Sequence, residues 1–299
     1  MLSILIPAFN YNAFSLVKEM HHQLILEAFD FEIICLDDAS YSALNTKNEE
    51  INTLSFSSFK SLEKNVGRSA IRNLLANSAK YKWLLFLDAD IIPVKPKFIK
   101  NYTACFKKDN TIFCGGISYQ NKKENFGLLR YKYGKKHEEI PLEKRNESSE
   151  KYFFTSNFLI QKEVFNTVKF EEKLTQYGRE DLLFALELLQ KDYEIKHLNN
   201  EVYHLGIDEN TLFVSKTKKA TENLIFLESQ QLIEAKEMPL LNLVKIISSV
   251  KMIKIVAKFY PFFEKLSIQK SSIFFLNCLK VSYLCHLKAK HKIGGKQAI

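Results

Sequence analysis

Apolar residues in this chain come as short unbroken runs alternating with segments of helical period. Residues 2–9 are almost wholly apolar and close at Pro7 and Asn10, which predicts a strand and a loop; Phe14, Val17, Met20, His21 and Leu24 then recur at the spacing of one helix face. Residues 31–36 form a second run, ended by Asp37 and Asp38, and residues 54–59 predict a weaker third strand. A helix opens at 65–69 with Ala70, Ile71, Leu74, Leu75 and Ala79 as its apolar stripe, leaving Arg68 and Arg72 one turn apart on another face. Residues 83–87, Trp-Leu-Leu-Phe-Leu, carry no charge and read as a strand buried on both faces, as in a parallel sheet covered by helices. That strand runs out at Asp88 and Asp90.

The alternation implies right-handed crossovers and a doubly wound, mostly parallel α/β sheet, which brings the Asn10, Asp38 and Asp88 strand ends to one edge. Open sheets of this kind bind ligands there. Further on, residues 95–108 predict a helix and 111–116 a strand ending in a glycine pair. Residues 121–151 are charge-rich without a period; a loop that long implies a functional or mobile segment that closes over substrate. Residues 153–160 predict a strand carrying Asn157, which either serves a ligand or bonds to its strand neighbours. Leu182, Leu183, Leu186 and Leu189 place Glu180 and Asp181 in the first turn of a helix, and residues 201–204 form a strand ending at His204. Residues 210–236 are helical. Beyond Pro239, Ile246, Val250, Ile253 and Ala257 fall on one side and Lys251, Lys254 and Lys258 on another, as in a basic amphipathic helix; Pro261 interrupts it, and a second apolar stretch carries Lys280, Lys288, Lys290 and Lys292.

At 299 residues the chain can bury one large core and a smaller satellite. Charge sharpens that picture. The formal net charge is +9, yet residues 239–299 hold eleven lysines and a single acid, Glu264, so the rest is close to neutral. This excludes a nucleic-acid binder with a uniformly positive surface and points to an appended anion-seeking segment. Two uses fit it: docking on an anionic membrane surface, or packing of the apolar face on the main domain with the lysines solvated. Residues 273–287 are broken by Asn277, Lys280, Ser282 and His286, too polar for a membrane-spanning helix. Five cysteines without CxxC spacing predict free thiols in a reducing compartment. Residues 2–6 are too short for a signal sequence, so Met1 is expected to begin the fold.

The strand-end acids carry the candidate chemistry. Asp88 and Asp90 suit a hard divalent cation, Mn²⁺ or Mg²⁺, although Asp is also an ordinary turn residue. Asp38 offers two acceptor oxygens to a ring N–H or a ribose hydroxyl, while Asp37 buttresses the loop. Asn10 contacts a nucleoside or makes an Asx turn. Gly67 permits close backbone approach, and a helix start with Arg68 or Arg72 either favours a diphosphate or is a solvated charged face. Glu180 and Asp181 are either catalytic or plain helix-start acids.

Ile4-Leu-Ile-Pro-Ala-Phe-Asn10, Asp37-Asp-Ala-Ser40, Asn65-Val-Gly-Arg-Ser-Ala-Ile-Arg-Asn73 and Phe86-Leu-Asp-Ala-Asp90 occur in that order, followed by Phe154-Thr-Ser-Asn-Phe-Leu-Ile160, Tyr177-Gly-Arg-Glu-Asp181 and Val202-Tyr-His204. Together they resemble glycosyltransferase family 2, with the GT-A fold, over residues 1–207. The resemblance implies a GT-A domain, expected at 1–237 with a nucleotide-sugar half at 1–116 and an acceptor half at 117–237; the composition shift at Pro239 sets off a basic helical C-terminal appendage at 238–299. It implies that Pro7, Ala8, Asn10 and Asp38 hold the nucleoside, that the Asp88-Ala89-Asp90 motif binds ribose and metal, and that Asn157 lies near the donor sugar. It further implies Asp181 as general base beside Glu180, and His204 as the third metal ligand that some family members have there, the other reading being a lone His satisfied within its strand.

The expected function is therefore a metal-dependent inverting transfer of a hexosyl or N-acetylhexosaminyl group. The donor would be a nucleoside-diphosphate sugar, UDP-linked, and the acceptor a hydroxyl of a glycan or lipid-linked molecule in surface polysaccharide synthesis. No nucleic-acid partner is expected, and the expected location is cytoplasmic, peripheral on the inner face of the membrane. A sugar nucleotidyltransferase shares the sheet and metal logic but would carry a Gly- and basic-rich signature near its first strand, which Pro7-Ala-Phe-Asn10 is not. A non-catalytic membrane- or nucleic-acid-binding module would use the basic segment alone and have no need of Asp88, Asp90 and Asp181.

Overall fold

The computed structural model describes residues 1–174, 177–233 and 238–294. They group into two compact units: Met1–Gln120, Gly134–Thr175 and Glu180–Gly206 form the first, and Asn121–Tyr133, Gln176–Arg179 and Ile207–Ile299 the second. The stretch 234–237 beside the expected boundary, the Lys292 side chain and the end of the appendage, 295–299, lie outside the described residues.

The first unit opens with β1 (Leu2–Ala8), α1 (Phe14–Ile25), β2 (Phe31–Asp37), α2 (Asn45–Asn48), β3 (Ser57–Ser61), α3 (Arg68–Ser78) and β4 (Trp83–Leu87). It continues with β5 (Ile91–Pro93), α4 (Phe98–Thr103), β6 (Thr111–Cys114) and β7 (Ile117–Ser118). After α5 (Leu129–His137), whose last residues belong to this unit, come α6 (Leu142–Glu147), β8 (Asn157–Gln161), α7 (Lys162–Val168), α8 (Glu180–Gln190), β9 (Glu194–His197) and β10 (Val202–His204).

Seven strands form a sheet in the order β3-β2-β1-β4-β8-β6-β9. Its pairs are parallel except those made by β8, which runs antiparallel to both β4 and β6. The mostly parallel α/β expectation therefore holds, with one inserted strand. A small second sheet, β5-β10-β7, pairs His204 with Ile91, which sets His204 beside the residue that follows Asp90.

Both faces of the large sheet are covered at its inner strands, β2, β1, β4, β8 and β6, which is why these show no polar alternation, whereas the edge strands β3 and β9 are partly exposed. Leu2, Ile4, Ile6, Leu85 and Leu87 join Val17, Met20 and Leu24 of α1 in one apolar cluster. Leu5, Leu84 and Phe86 join Ile71 and Leu75 of α3 with Phe165 and Phe184 in another. Each such side chain contributes about 1.5–3 kcal/mol by leaving water. Stacked rings, Phe86 on Phe158 at 4.7 Å and Phe170 on Phe184 at 4.2 Å, reinforce the second cluster.

Several elements depart from the periodicity reading. The third strand is Ser57–Ser61, not 54–59, because Glu49–Thr53 winds as a 3₁₀ turn and displaces it. The helix expected over 95–108 is confined to Phe98–Thr103. Residues 121–151, read as a loop, contain α5 and α6. Arg145 of α6 explains why that helix is hidden: it is 1% exposed, standing where a period count expects an apolar residue. Its guanidinium donates to Glu201 Oε1 at 2.9 Å and to the Ile140 carbonyl at 3.0 Å. The Gly115-Gly116 pair makes room nearby: a Cβ on Gly116, which has φ +87°, would lie 2.4 Å from the Arg145 Nη1 atom.

In the second unit, α9 (Asn210–Ser229), α10 (Pro239–Ser249), α11 (Ile253–Ala257) and α12 (Tyr260–Lys270) all pack against α13 (Ile273–Gly294). Leu276, Leu279 and Tyr283 of α13 meet Phe213, Val214 and Leu129 in its core. The helical appendage expected from composition is thus present, but its apolar stripe is partitioned differently. The chain breaks between α10 and α11 at Lys251, with φ 59°, so Ile253 and Ala257 are buried whereas Ile246 and Val250 are exposed. All five cysteines are free; Cys35 and Cys114 in the first unit and Cys285 in the second are buried.

Candidate active site

The first two strands end where backbone geometry turns sharply: Asn10 after β1 and Ala39 after β2 both adopt positive φ, at 50° and 54°. Pro7 and Ala8 pair with Leu36 and Asp37 in the β1–β2 ladder, and the Asp38 N–H donates to the Ala8 carbonyl at 2.9 Å. Asp37 is fully buried, and its Oδ2 accepts from the Ser40 N–H, the Ser61 hydroxyl at 2.5 Å and the Asn45 amide at 2.9 Å. Burial alone would raise its pKa; the hydrogen bonds from Ser40, Ser61 and Asn45 outweigh burial and hold the carboxyl below its usual range. This is the buttress expected of it.

Asp38 is 5% exposed and grips the turn that opens α3: Val66 N–H donates to Oδ1 at 2.7 Å and Gly67 N–H to Oδ2 at 3.0 Å. Gly67 precedes α3 with φ +89°, a region that favours glycine. The loop after β2 is thereby locked to the start of α3.

From α3 two arginines reach two acids. Arg68 Nε stands 2.5 Å from Glu180 Oε1 at the start of α8, and Arg72 Nη2 stands 2.6 Å from Asp88 Oδ1 at the end of β4. The pairs are linked, since Arg72 Nη1 donates to the Arg68 carbonyl at 3.1 Å. Burial pushes the Asp88 pKa up, but the charges of Arg72 and then Arg68, the Arg72 hydrogen bond and His204 together hold it below the ordinary value. Glu180 Oε2 and Arg72 Nε are buried without a hydrogen-bond partner. Asp181 lies in the same first turn of α8, where Leu182 N–H donates to its Oδ1 at 2.8 Å.

Asp90 and His204 are brought together from the ends of β4 and β10, with Oδ2 and Nε2 3.6 Å apart. Ala89 between the two acids is buried. Leu205 N–H donates to the Asp90 carbonyl at 2.8 Å, and the Tyr119 ring stacks on His204 at 5.8 Å. A Cβ on Gly206 would lie 2.1 Å from Asp90 Oδ2 and 3.3 Å from His204 Cε1, so the missing side chain leaves the pair its space. Burial first, and the Asp90 charge second, push the Tyr11 phenol up. Tyr11, Tyr119 and Gly206 were not singled out from the sequence; the available signals were that Tyr11 adjoins Asn10 and that Gly206 lies two residues past His204.

Asn157 sits elsewhere in the network. It is 1% exposed, its Oδ1 accepts from the Tyr102 hydroxyl at 2.6 Å, and its amide donates to the carbonyls of Gly116 and Asn200. Both amide protons are used inside the fold. Asn157 thus ties β8 to the end of β6 and to the chain before β10.

A carboxylate oxygen and an imidazole nitrogen are donors that Mn²⁺ accepts, with further positions left for diphosphate oxygens and water. Asp90 and His204 fit such a two-ligand half-site. Asp88 Oδ1 is already committed to Arg72, and no group of three or more His, Cys, Asp or Glu able to hold a metal occurs among the described residues.

No curated protein matches the chain in sequence. Among solved structures, crystal structures of S. aureus TarS 1–349 are similar at 15% identity: one covers 96% of this chain and 91% of that chain with TM-score 0.47. The other, in complex with UDP, covers 98% and 91% with TM-score 0.48. The family model for glycosyl transferase family 2 matches residues 3–169, more than half of the chain, and takes in β1, the Asp38 turn, α3 and the Asp88–Asp90 strand end. This chain belongs to glycosyl transferase family 2.

Proposed function

We propose that this nucleotide-sugar glycosyltransferase uses a nucleoside-diphosphate donor, UDP being the first to test, and transfers its sugar to a hydroxyl of a glycan or lipid-linked acceptor with inversion and with Mn²⁺ or Mg²⁺. The observation that carries this reading is the Asp90–His204 pair, 3.6 Å apart, two residues along from the Arg72–Asp88 pair. Asp90 and His204 would hold the ion. Its positive charge would offset the charge that gathers on the departing diphosphate.

The chain's own residues supply the rest of the scheme. Pro7, Ala8 and Asn10 line the nucleoside, and Asp38 contributes by fixing the Val66–Gly67 turn as well as by offering acceptors. The start of α3 and Arg68 favour the diphosphate. Asp181 accepts the proton of the acceptor hydroxyl as its oxygen bonds to the anomeric carbon; the bond to the diphosphate breaks and its electron pair leaves with the diphosphate. In this reading residues 1–116 serve the donor, 117–237 the acceptor and 238–299 an anionic membrane surface, which suits surface polysaccharide synthesis at the cytoplasmic leaflet.

A thermal-shift screen of nucleotide sugars with and without Mn²⁺ tests it. A UDP-sugar should raise the melting temperature in the presence of the ion and do so much less in Asp90→Ala. A shift that ignores both the ion and Asp90 would remove the metal-dependent scheme.

A further inference from the structure

The exposed side of α10–α12 pairs two stripes that a helix facing only water has no reason to carry. Met252, Ile255, Phe259 and Phe262 follow the spacing i, i+3, i+7, i+10, and all four are exposed, at 46%, 54%, 51% and 56%. Lys251, Lys254 and Lys258 follow the same spacing one position earlier and are exposed too. The side of α11 that packs within the unit is a third one, carrying Ile253 and Ala257 against α13. On α10, Leu243, Ile246 and Val250 repeat the pattern, exposed at 43%, 62% and 59%, with buried Leu241 and Val244 turned elsewhere.

The core of this unit is therefore complete without the exposed apolar residues, and large apolar side chains gathered in solvent mark a surface that binds something. Charge decides what. Lys245, Lys251, Lys254, Lys258, Lys265 and Lys270 are all exposed along these helices, and the one acid, Glu264, is occupied by Lys218 at 3.0 Å. A second copy of the chain would set this basic stripe against itself across a two-fold axis. A nucleic acid would meet the lysines but leave Phe259 and Phe262 in water. An anionic bilayer satisfies both stripes, with apolar side chains entering the acyl boundary and lysines meeting phosphates. No helix among the described residues is long and apolar enough to cross a membrane.

We infer that the exposed face of α10–α12 is a monotopic docking surface for anionic lipid, held by the Met252–Phe262 apolar stripe and the Lys251–Lys258 basic stripe. The inference rests on and deepens the membrane part of the proposed function; neither Asp90 nor Asp181 enters it, so vesicle binding and sugar transfer fail separately.

Co-sedimentation of the full chain with vesicles of phosphatidylcholine alone, or mixed with phosphatidylglycerol, tests it. Binding should require the anionic lipid and weaken as salt rises. Lys251→Gln/Lys254→Gln/Lys258→Gln should lose about fivefold per lysine, on the order of a hundredfold together. Ile255→Ser/Phe259→Ser/Phe262→Ser should also lose binding while the chain stays folded by circular dichroism, because these side chains are half exposed and only the two rings touch Phe263. Equal binding to neutral vesicles, no binding to anionic ones, or wild-type binding by either variant would overturn the inference. So would a dimer in sedimentation velocity that the serine variant dissolves while vesicles bind neither form.

Discussion

Arg72 and Asp88 meet at 2.6 Å, with Arg72 2% exposed and its guanidinium 5.7 Å over the Phe170 ring. A pair in this setting is costly to break singly, because the remaining charge is left in a site that water reaches poorly. Asp88→Leu should lower stability to urea by about 3 kcal/mol. Arg72→Met/Asp88→Leu should recover most of that loss without recovering transfer. The pH dependence has a definite sign: the folded pKa of Asp88 lies below the ordinary 3.8, so the pair stabilises fully above that value and loses its effect as pH falls through the lower folded value.

Asp90→Ala should abolish Mn²⁺-dependent UDP binding in calorimetry while leaving the melting temperature nearly unchanged, since the carboxylate stands at a strand end. Gly206→Ala gives a subtler form of the same test. The added Cβ would fall 2.1 Å from Asp90 Oδ2, the far end of a side chain that can swing aside, so the fold should survive and the carboxylate should move off His204. Ion-dependent UDP affinity should fall on the order of tenfold or more, as expected when a ligand's support is disturbed. Unaltered affinity in both variants would take the metal away from this pair.

Asp181→Asn should keep donor affinity and lower kcat by a factor on the order of 10² or more, because the amide preserves size but accepts no proton. Asn starts a helix about as well as Asp, so a purely structural acid would give a silent exchange. Full turnover by this variant would transfer the role of base to Glu180 or to the segment before Lys151.

His197 supplies a pH prediction away from the reaction. It is 2% exposed, and burial is the main cause that brings its pKa down from 6.5 to about 4, with the Ser149 hydrogen bond opposing and Arg145 adding. The fold thus favours the neutral ring, and the unfolded chain takes up a proton first as pH falls. Stability should be full above pH 6.5 and decline towards pH 4 by roughly 3 kcal/mol, a loss that His197→Gln should largely remove.

The parts of this molecule legible in the sequence are those where one physical demand dominates. Residues 83–87 are uniformly apolar because both faces of β4 are covered, and the acids after β2 and β4 stand out because the runs before them are so plain. Where two demands compete, the pattern blurs. Arg145 occupies a core position through Glu201 and the Ile140 carbonyl, so α6 shows no apolar stripe. The direction of β8 leaves no trace either, since a strand buried on both sides reads the same both ways. In α10 and α11 the stripe was visible but its owner was not: the break at Lys251 rotates one helix against the next, sending Ile253 inward and leaving Ile246 outside. At the site, Arg68, Arg72, Asp88, Glu180, Asp90 and His204 could each be named, whereas their division into three acid–base pairs depends on where α3 and α8 begin and β4 and β10 end.

The buried thiols give the chain an internal clock of opening. Burial pushes Cys35 and Cys114 far above the normal thiol range, and Cys285 up to about 11. A thiol reagent needs the thiolate and a path to it, so none of the three reacts while its surroundings stay closed. Cys35 and Cys114 belong to the sheet, and Cys285 to α13. Their labelling rates, read residue by residue by mass spectrometry, therefore time the unlocking of each unit separately, with no probe introduced and no natural residue replaced.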